Sequence, residues 1–584
     1  SGAEKAAKDY WRRNHATWTD FAMPSIVGVG LEVDFEPRDH RATVTGVYTF
    51  ENHRNRSYSQ IPLTAGDWDD LTWTLDGQEV EPDDRSNLFV FTPDVPLAPG
   101  DSLEIGFSYS LENPRGLSKQ AGGRGEFILD SGIVLGSFGP SFVPTPGYSP
   151  SIGVDEENRF DSRDYPDDFF EGETEPLFGW GGRPFTARMS FTVPEDFTAN
   201  GVGKLVSDRI EGGRRTMVWE TDHPVGFFNV VAARYAVKEG NGTALYYHPA
   251  HDYNVDEMSM ALDAARRYYS EWFYPFPWET LKISEFPGFA TYAQGFPTNI
   301  TFSEGIGFLA RSDPRSHVAF MVVAHESAHQ WWGNLLTPGR GPGGNMLSEG
   351  MAHYSTILLH EQVLGEQYRI EFTKRIGEQY GDQRVADTER SLVKTDDTRP
   401  GDQTVRYDKG GWVMWMLHQV MGREAMLSGL QAFIAQYNPD PDFPVIQDML
   451  AVLRGFAPDT AAFDGFTDQW FHDVVVPEYS LLDVTRQEEG GGWIVRGTVK
   501  NVGTGLMPVE IAAAAGERFP EAPDAEETQE REDYHDALVQ VTLGAGEEAL
   551  FEIRSDFEPD RVVVDPDVMV LQLNRDRAEH RFGS

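Results

Sequence analysis

The chain has 584 residues, too many for one hydrophobic core, and its 40% hydrophobic and 12% aromatic content sustains several packed domains and argues against wholesale disorder. With 93 acidic residues against 49 basic ones and a formal charge of -44, the surface repels phosphate backbones and anionic lipid heads, which argues against nucleic acid or a membrane surface as partners. There is no cysteine, so any metal must be held by histidine and carboxylate.

The first two dozen residues, ending at Pro24, read as a short helix. From Ile26 to about Gly240, runs such as "ATVTGVYTF", "LEIGFSYSL" and "FTARMSFTV" alternate with period two, which predicts an antiparallel β domain over 1–240. Helical spacing then takes over in "VDEMSMALDAARRYYSEWF", "SHVAFMVVAHESAHQWWGNL", "MAHYSTILLHEQVLG" and "GGWVMWMLHQVMG", giving an α-rich domain over 241–475. Inside it, "TLKISEFPGFATYAQGFPTNITFSE" reads as a small strand pair around a loop. Alternation returns after Pro477 in "WIVRGTVKNVG", "ALVQVTLGAG" and "RVVVDPDVMVLQL", so a compact β-sandwich is expected over 476–584, with the acidic "EAPDAEETQERED" as a solvated loop. The fold class is therefore multidomain α+β. No run of about 18 apolar residues is present, so no membrane insertion by this chain is expected. Ser1 is not a natural start residue, which is compatible with an anchor upstream.

His325 and His329 stand four apart in "HESAHQWWGN", one helical turn, so both imidazoles leave one face and could meet one ion. Glu326 is placed to take a proton from a metal-activated water. The motif alone is equally compatible with plain helix surface. A catalytic zinc wants a third protein ligand on another element, and nineteen residues separate His329 from Glu349, which opens the next helix in "SEGMAHY". The connecting "TPGRGPGG" reads as a reversal that sets two helices side by side; it lacks the Gly-Lys-Ser/Thr end of a phosphate cradle. His353 and His360 lie further along, with His353 expected as a surface or core-edge histidine rather than a support for a ligand. Tyr407, 58 residues past Glu349 at the mouth of an apolar helix, would by itself be ordinary packing.

Taken together, "HESAHQWWGN", "SEGMAHY", "YDKGG" and the later "FTDQWF" resemble the aminopeptidase N family of gluzincin zinc peptidases, which includes leukotriene A4 hydrolase. The resemblance implies a thermolysin-like catalytic domain between a β domain and a β-sandwich. It also implies one zinc per chain held by His325, His329 and Glu349, with Glu326 as general base and Tyr407 as donor to the oxyanion. Two departures stand out. The family places eighteen residues between the second histidine and the glutamate, one fewer than here, which would land on Ser348; Glu349 is the better ligand, with the extra residue taken up in the glycine loop.

The family's Gly-x-Met-Glu-Asn segment, whose glutamate binds a free α-amino group, corresponds here to "TYAQGFPTN", with Gln294 and Gly295 as the substrate-binding positions. Neither supplies a charge-assisted contact to an ammonium. The expected function is a zinc-dependent peptidase that is not a standard free-N-terminus aminopeptidase. The alternatives are a true aminopeptidase with a relocated carboxylate, for instance from "DSRDYPDDFFEGETEPLFGW", or a zinc-containing binding or scaffold module of a cell-envelope assembly. The variant pattern also resembles peptidase-like modules of bacterial membrane and transporter-associated proteins, which favours an extracytoplasmic or cell-envelope location over the cytoplasm.

Overall fold

The structure, a computed structural model, describes the chain except residues 113–124, 155–163, 173, 178–182, 290, 312–316, 439–441, 520–530 and 584. Helix α1 (Gly2–Asn14) opens with a capping box between Ser1 and Glu4. An eight-stranded sheet follows, with Ser25–Glu36, Arg41–Glu51 and Ser102–Glu112 as central strands. Along Arg41–Glu51 buried and exposed residues alternate, as a strand with one face on a core requires. The sheet is antiparallel apart from one pair: Ser25–Glu36 runs parallel to Thr186–Pro194, with Gly28 opposite Thr186. Two four-stranded sheets cover it.

One of these, built on Thr198–Gly201 and Asn229–Ala233, is joined to the next unit by buried amides and hydroxyls rather than by apolar side chains alone. Asn200 Nδ2 donates to Ser284 Oγ at 2.9 Å, Ser284 Oγ donates to Asn299 Oδ1 at 2.8 Å, and Asn299 Nδ2 donates to Asn229 Oδ1 at 3.1 Å. All four residues are fully buried, so this chain of hydrogen bonds favours one relative placement of the two sheets.

The expected strand pair is instead a five-stranded sheet, in the order Ala236–Glu239, Thr243–Tyr247, Leu281–Phe286, Asn299–Ser303, Ala293–Gln294. Thr243–Tyr247 runs parallel to Leu281–Phe286, and helix α2 (Val255–Trp272) is the crossover between them. Its buried Met258, Leu262, Ala265, Tyr269 and Trp272 fall at spacings of four and three, one face of a helix. The position 240, expected as a domain edge, lies between the two strands of a hairpin in this sheet. Ala293–Gln294 is the outermost strand and leaves one edge unpaired.

Helix α3 (Val318–Ala328) is apolar nearly all round, with Ala319, Phe320, Val323 and Ala324 buried, which puts it at the centre of the α-rich unit. Tyr269 of α2 donates its hydroxyl to Ala324 O at 2.9 Å. Around α3 stand α4 (Met351–Leu359), α5 (Glu366–Gln383), the one-turn α6 (Asp402–Thr404), α7 (Gly410–Met421), α8 (Arg423–Tyr437), α9 (Ile446–Arg454) and α10 (Thr460–Trp470). Trp470, fully buried, donates from Nε1 to Met507 Sδ and so ties α10 to the C-terminal sheets. Those are a three-stranded sheet (Tyr479–Glu489, Gly492–Asn501, Glu548–Ser555) and a four-stranded one begun by Met507–Ala515. Most of the acidic run read as a solvated loop lies outside the described residues. Among the described residues no helix is long and apolar enough to cross a membrane.

Candidate active site

His325 lies in the last turn of α3 and His329 caps its C-terminal end, where the helix dipole favours a cation. His325, Glu326 and His329 bring ligand atoms within 4.8 Å of one another. Glu349 completes the set: its Oε2 is 3.1 Å from His325 Nε2 and 3.3 Å from His329 Nε2. Ser348 faces the other side of His329, with Oγ 3.2 Å from Nδ1, so Glu349 and not Ser348 points to the common centre. The segment that carries it, Met346–Gly350, is a π turn, which holds one residue more than an α turn, so the extra residue has room in the helix as well as in the loop.

The rest of the "HESAHQWWGN" motif holds this helix to its surroundings. Gln330, fully buried, takes the Thr298 N–H on Oε1 at 2.8 Å and donates from Nε2 to Phe296 O at 2.9 Å. Asn334 Nδ2 donates to Gly295 O at 2.8 Å. Both therefore clamp the segment after strand Ala293–Gln294 onto the zinc helix. Trp331 and Trp332 are fully buried and donate to Tyr274 O and Ser355 Oγ, which fixes the exit of the chain.

Tyr407 sits on a second π turn, Val405–Lys409, ahead of α7. Its ring stacks on His325 with centroids 6.0 Å apart, and the Arg406 guanidinium lies over the same ring at 5.2 Å from its centre. Lys409 anchors the turn through a buried ion pair, Nζ to Glu389 Oε2 at 2.8 Å, with Tyr380 and Arg384 on the same carboxylate. The two π turns approach back to back at glycines: a Cβ on Gly350 would lie 2.9 Å from Arg406 O and 3.3 Å from Gly410 Cα. Two adjoining residues of "YDKGG", Gly410 and Gly411, are thus needed for the close crossing.

Burial pushes His325 down to about 4 against the pull of Glu349. Burial opposes a charge on His329 as well, but the Glu349 and Glu326 carboxylates outweigh it and lift this imidazole to about 9. Glu349 is raised by burial but held well below the usual carboxylate range by His329 and His325. Burial drives Glu326 up to about 8, and the Gly295 N–H works the other way. Tyr407 is pushed up by burial and by Glu349, so its hydroxyl keeps its proton. Glu349 thus stays ionised beside the two imidazoles, and the phenol of Tyr407 stays able to donate.

A cavity of about 160 Å³ opens onto these groups. Its described lining includes Phe227, Ala293, Gln294, Gly295 and Asn334, and its only carboxylates are Glu326 and Glu349. Gln294 is exposed, and Gly295 is buried directly against the zinc helix. Of the acidic segment that is the alternative source of a carboxylate, the described Glu175 and Leu177 are engaged outside this cavity lining. Leu177 N–H donates to Pro338 O, Arg340 N–H donates to Glu175 O, and the Glu175 carboxylate pairs with Arg54 at 3.0 Å. Residues 161–163, 173 and 178–180 of that segment lie outside the described part.

His353 departs from expectation. It is half-buried, as a core-edge residue would be, but it supports a proposed ligand: its Nδ1 lies 3.0 Å from His325 Nδ1 and its Nε2 3.2 Å from Asp408 Oδ1. Nothing in the helical period of "MAHYSTILLH" shows this, because the covering residues come from another helix and a distant turn. His360 is buried and stacks on Phe372 at 4.7 Å, away from the ligands.

The donor set fits zinc. Two imidazole nitrogens and one carboxylate oxygen converge, and each Nδ1 has its own partner, which turns the Nε2 lone pairs inward. A carboxylate and a phenol stand beside them, so the site has the donor set of a single-metal centre with an acid–base group and a hydrogen-bond donor at hand. Comparison with known proteins agrees: residues 253–451 match the model of the peptidase family M1 domain. Aminopeptidase M1-B of Oryza sativa subsp. japonica is 25% identical over 284 residues, which is 44% of this chain and 31% of that protein. Aminopeptidase N of Lactococcus lactis subsp. lactis is 29% identical over 217 residues, 34% of this chain and 25% of that one. The matched stretch is therefore less than a third of either relative's length. Among solved structures, Legionella pneumophila aminopeptidase A in complex with aspartic acid has a TM-score of 0.61 at 14% identity, covering 95% of this chain and 60% of that chain. An M1 zinc metallopeptidase from Deinococcus radiodurans has a TM-score of 0.57 at 16% identity, covering 77% and 95%. Residues 253–451 are thus similar to the peptidase family M1 domain, the fold is shared with solved M1 structures, and the donor set is one that fits zinc.

Proposed function

We propose that the chain hydrolyses peptide bonds, and that its cleft takes N-blocked or internal peptide bonds in preference to a free N-terminus. His325, His329 and Glu349 would hold the zinc, which when bound acts as a Lewis acid on the substrate carbonyl and makes water a nucleophile near neutral pH. The free edge of Ala293–Gln294 borders the cavity and pairs with an extended substrate as an added strand. Glu326 takes the proton of the attacking water on its carboxylate and returns it to the leaving nitrogen. Tyr407 donates its hydroxyl to the carbonyl oxygen as that oxygen gains charge.

The preference against a free amine rests on one observation: the described lining of the cleft has no carboxylate other than Glu326 and Glu349. With a dication bound, both are balanced, and nothing remains to pair a substrate ammonium taken out of water. An amide-blocked or internal residue carries no such charge. Several relatives are named aminopeptidases, which supports peptide hydrolysis in general and leaves the free-amine requirement as the point to test. Cleavage of one peptide in free and N-acetylated forms should proceed at least as fast on the acetylated form. A strong preference for the free amine would overturn this reading, and turnover left unchanged by Glu326→Gln would remove hydrolysis altogether.

A further inference from the structure

We infer that His353 and Asp408 are positioning residues for the zinc centre: a relay that fixes the tautomer and orientation of His325 through its Nδ1. The inference rests on the zinc site described above. His325 Nε2 faces Glu349 Oε2 at 3.1 Å, so a metal held there needs the lone pair of Nε2 and leaves the ring proton on Nδ1. That proton points at His353 Nδ1, 3.0 Å away. His353 Nε2 lies 3.2 Å from Asp408 Oδ1, and Thr404 donates its hydroxyl to Asp408 Oδ2 at 2.6 Å.

Only one arrangement of protons satisfies the whole chain. An ionised aspartate is acceptor-only, so His353 must carry its proton on Nε2. A neutral His353 then has a lone pair on Nδ1, which accepts from His325 Nδ1–H. Every donor faces one way, from the metal ligand toward a carboxylate that is itself 1% exposed. The buried negative charge of Asp408 is thereby felt at His325 through an intervening imidazole, which strengthens it as a ligand in the way a directly bonded carboxylate would.

His353 is also held mechanically. A Cβ on Gly411 would lie 2.7 Å from His353 Cβ, the Phe372 ring meets it edge-on at 5.8 Å, and Tyr407 meets it at 5.6 Å. Because Asp408 follows Tyr407 in the same π turn, the relay also couples the oxyanion donor to the first ligand. His329 has no such device: its Nδ1 meets a backbone acceptor, Trp332 O, at 3.0 Å. The relay therefore sets the first ligand alone.

The test is the zinc dissociation constant of full-length protein, measured by competition with a chelator, beside the thermal midpoint of the metal-free form. His353→Phe keeps the ring volume but cannot accept, and Asp408→Asn keeps the shape without the charge; each should bind zinc roughly 10–100-fold more weakly. His353→Asn, which returns an acceptor oxygen near the place of Nδ1, should recover most of the loss. Lowered thermal midpoints with unchanged zinc affinity would reduce these residues to packing and overturn the relay. Should His353→Phe fail to fold, Asp408→Asn decides, and wild-type affinity in that variant overturns the inference. A wild type that binds no zinc would instead remove the metal centre on which the relay depends.

Discussion

Gly295→Ala isolates the contact between the substrate strand and the zinc helix. The added Cβ would lie 2.7 Å from His329 Cβ and 2.8 Å from Glu326 O, where ordinary contact begins at 3.4 Å. Neither atom is the far end of a flexible side chain, so the strand or the helix must give by more than half an ångström. Gln330 and Asn334 clamp that strand to the same helix, so the displacement is passed on to His329 and Glu326, the proposed metal ligand and proton carrier. Overpacking of this kind costs about 1–3 kcal/mol in stability. Misplacement approaching an ångström at a reacting centre lowers the rate by roughly 100-fold. Peptide cleavage kinetics with the zinc content quantified should show this loss in kcat/KM, together with a lower denaturation midpoint. Wild-type kinetics and stability would refute the claim that glycine is required there for close approach.

Tyr407→Phe should lower kcat by roughly 10²–10³ with KM and zinc content unchanged, as loss of an oxyanion donor does; a rise in KM at preserved kcat would instead make the hydroxyl a ground-state binder. Glu389→Gln leaves the buried Lys409 ammonium without its carboxylate and should destabilise the fold by about 3–5 kcal/mol, read from chemical denaturation. An unchanged midpoint would mean that Lys409 has another partner. Lys282 is fully enclosed against the Trp219 ring and Gly203 O, and burial lowers it to about 7. Between that value and the unfolded-state value near ~10.4 the unfolded chain binds a proton that the folded one does not, so stability rises with pH across this window. Lys282→Met lacks this slope. Its advantage over wild type should be largest at or below pH 7 and shrink by an amount on the order of 4 kcal/mol toward pH 10, and a constant difference would refute the assignment.

The convergence of the proposed metal ligands was legible because a helix converts sequence distance into direction: four residues bring His325 and His329 to one face. Glu349 needed a second helix, and the glycine-rich reversal announced it. Tyr407 could be found only by its resemblance to a family motif, since nothing local brings a residue 58 positions beyond Glu349 to the same point. His353 was misjudged because periodicity shows which face a residue occupies but not what covers that face; here Phe372 and the turn holding Asp408 do so. The five-stranded sheet was read as a pair because two of its strands join from before α2 and the third strand within the segment, Ala293–Gln294, is only two residues long. Buried Asn200, Asn229, Ser284 and Asn299 belong to the same class, since in isolation a polar residue in a strand suggests solvent rather than a partner sheet.

Both Glu349 and Tyr407 stand on π turns, each of which interrupts a helical stretch that could otherwise continue in α register. Excising a single residue from either turn would let the helix wind on regularly while swinging the functional side chain by about 100° relative to the rest of its helix. In the second turn the same change would also displace Lys409 from its buried partner Glu389. A third π turn, His360–Leu364, carries neither group, so it is the convergence of Glu349 and Tyr407 on one cavity, and not the type of turn, that ties these two irregularities to the site.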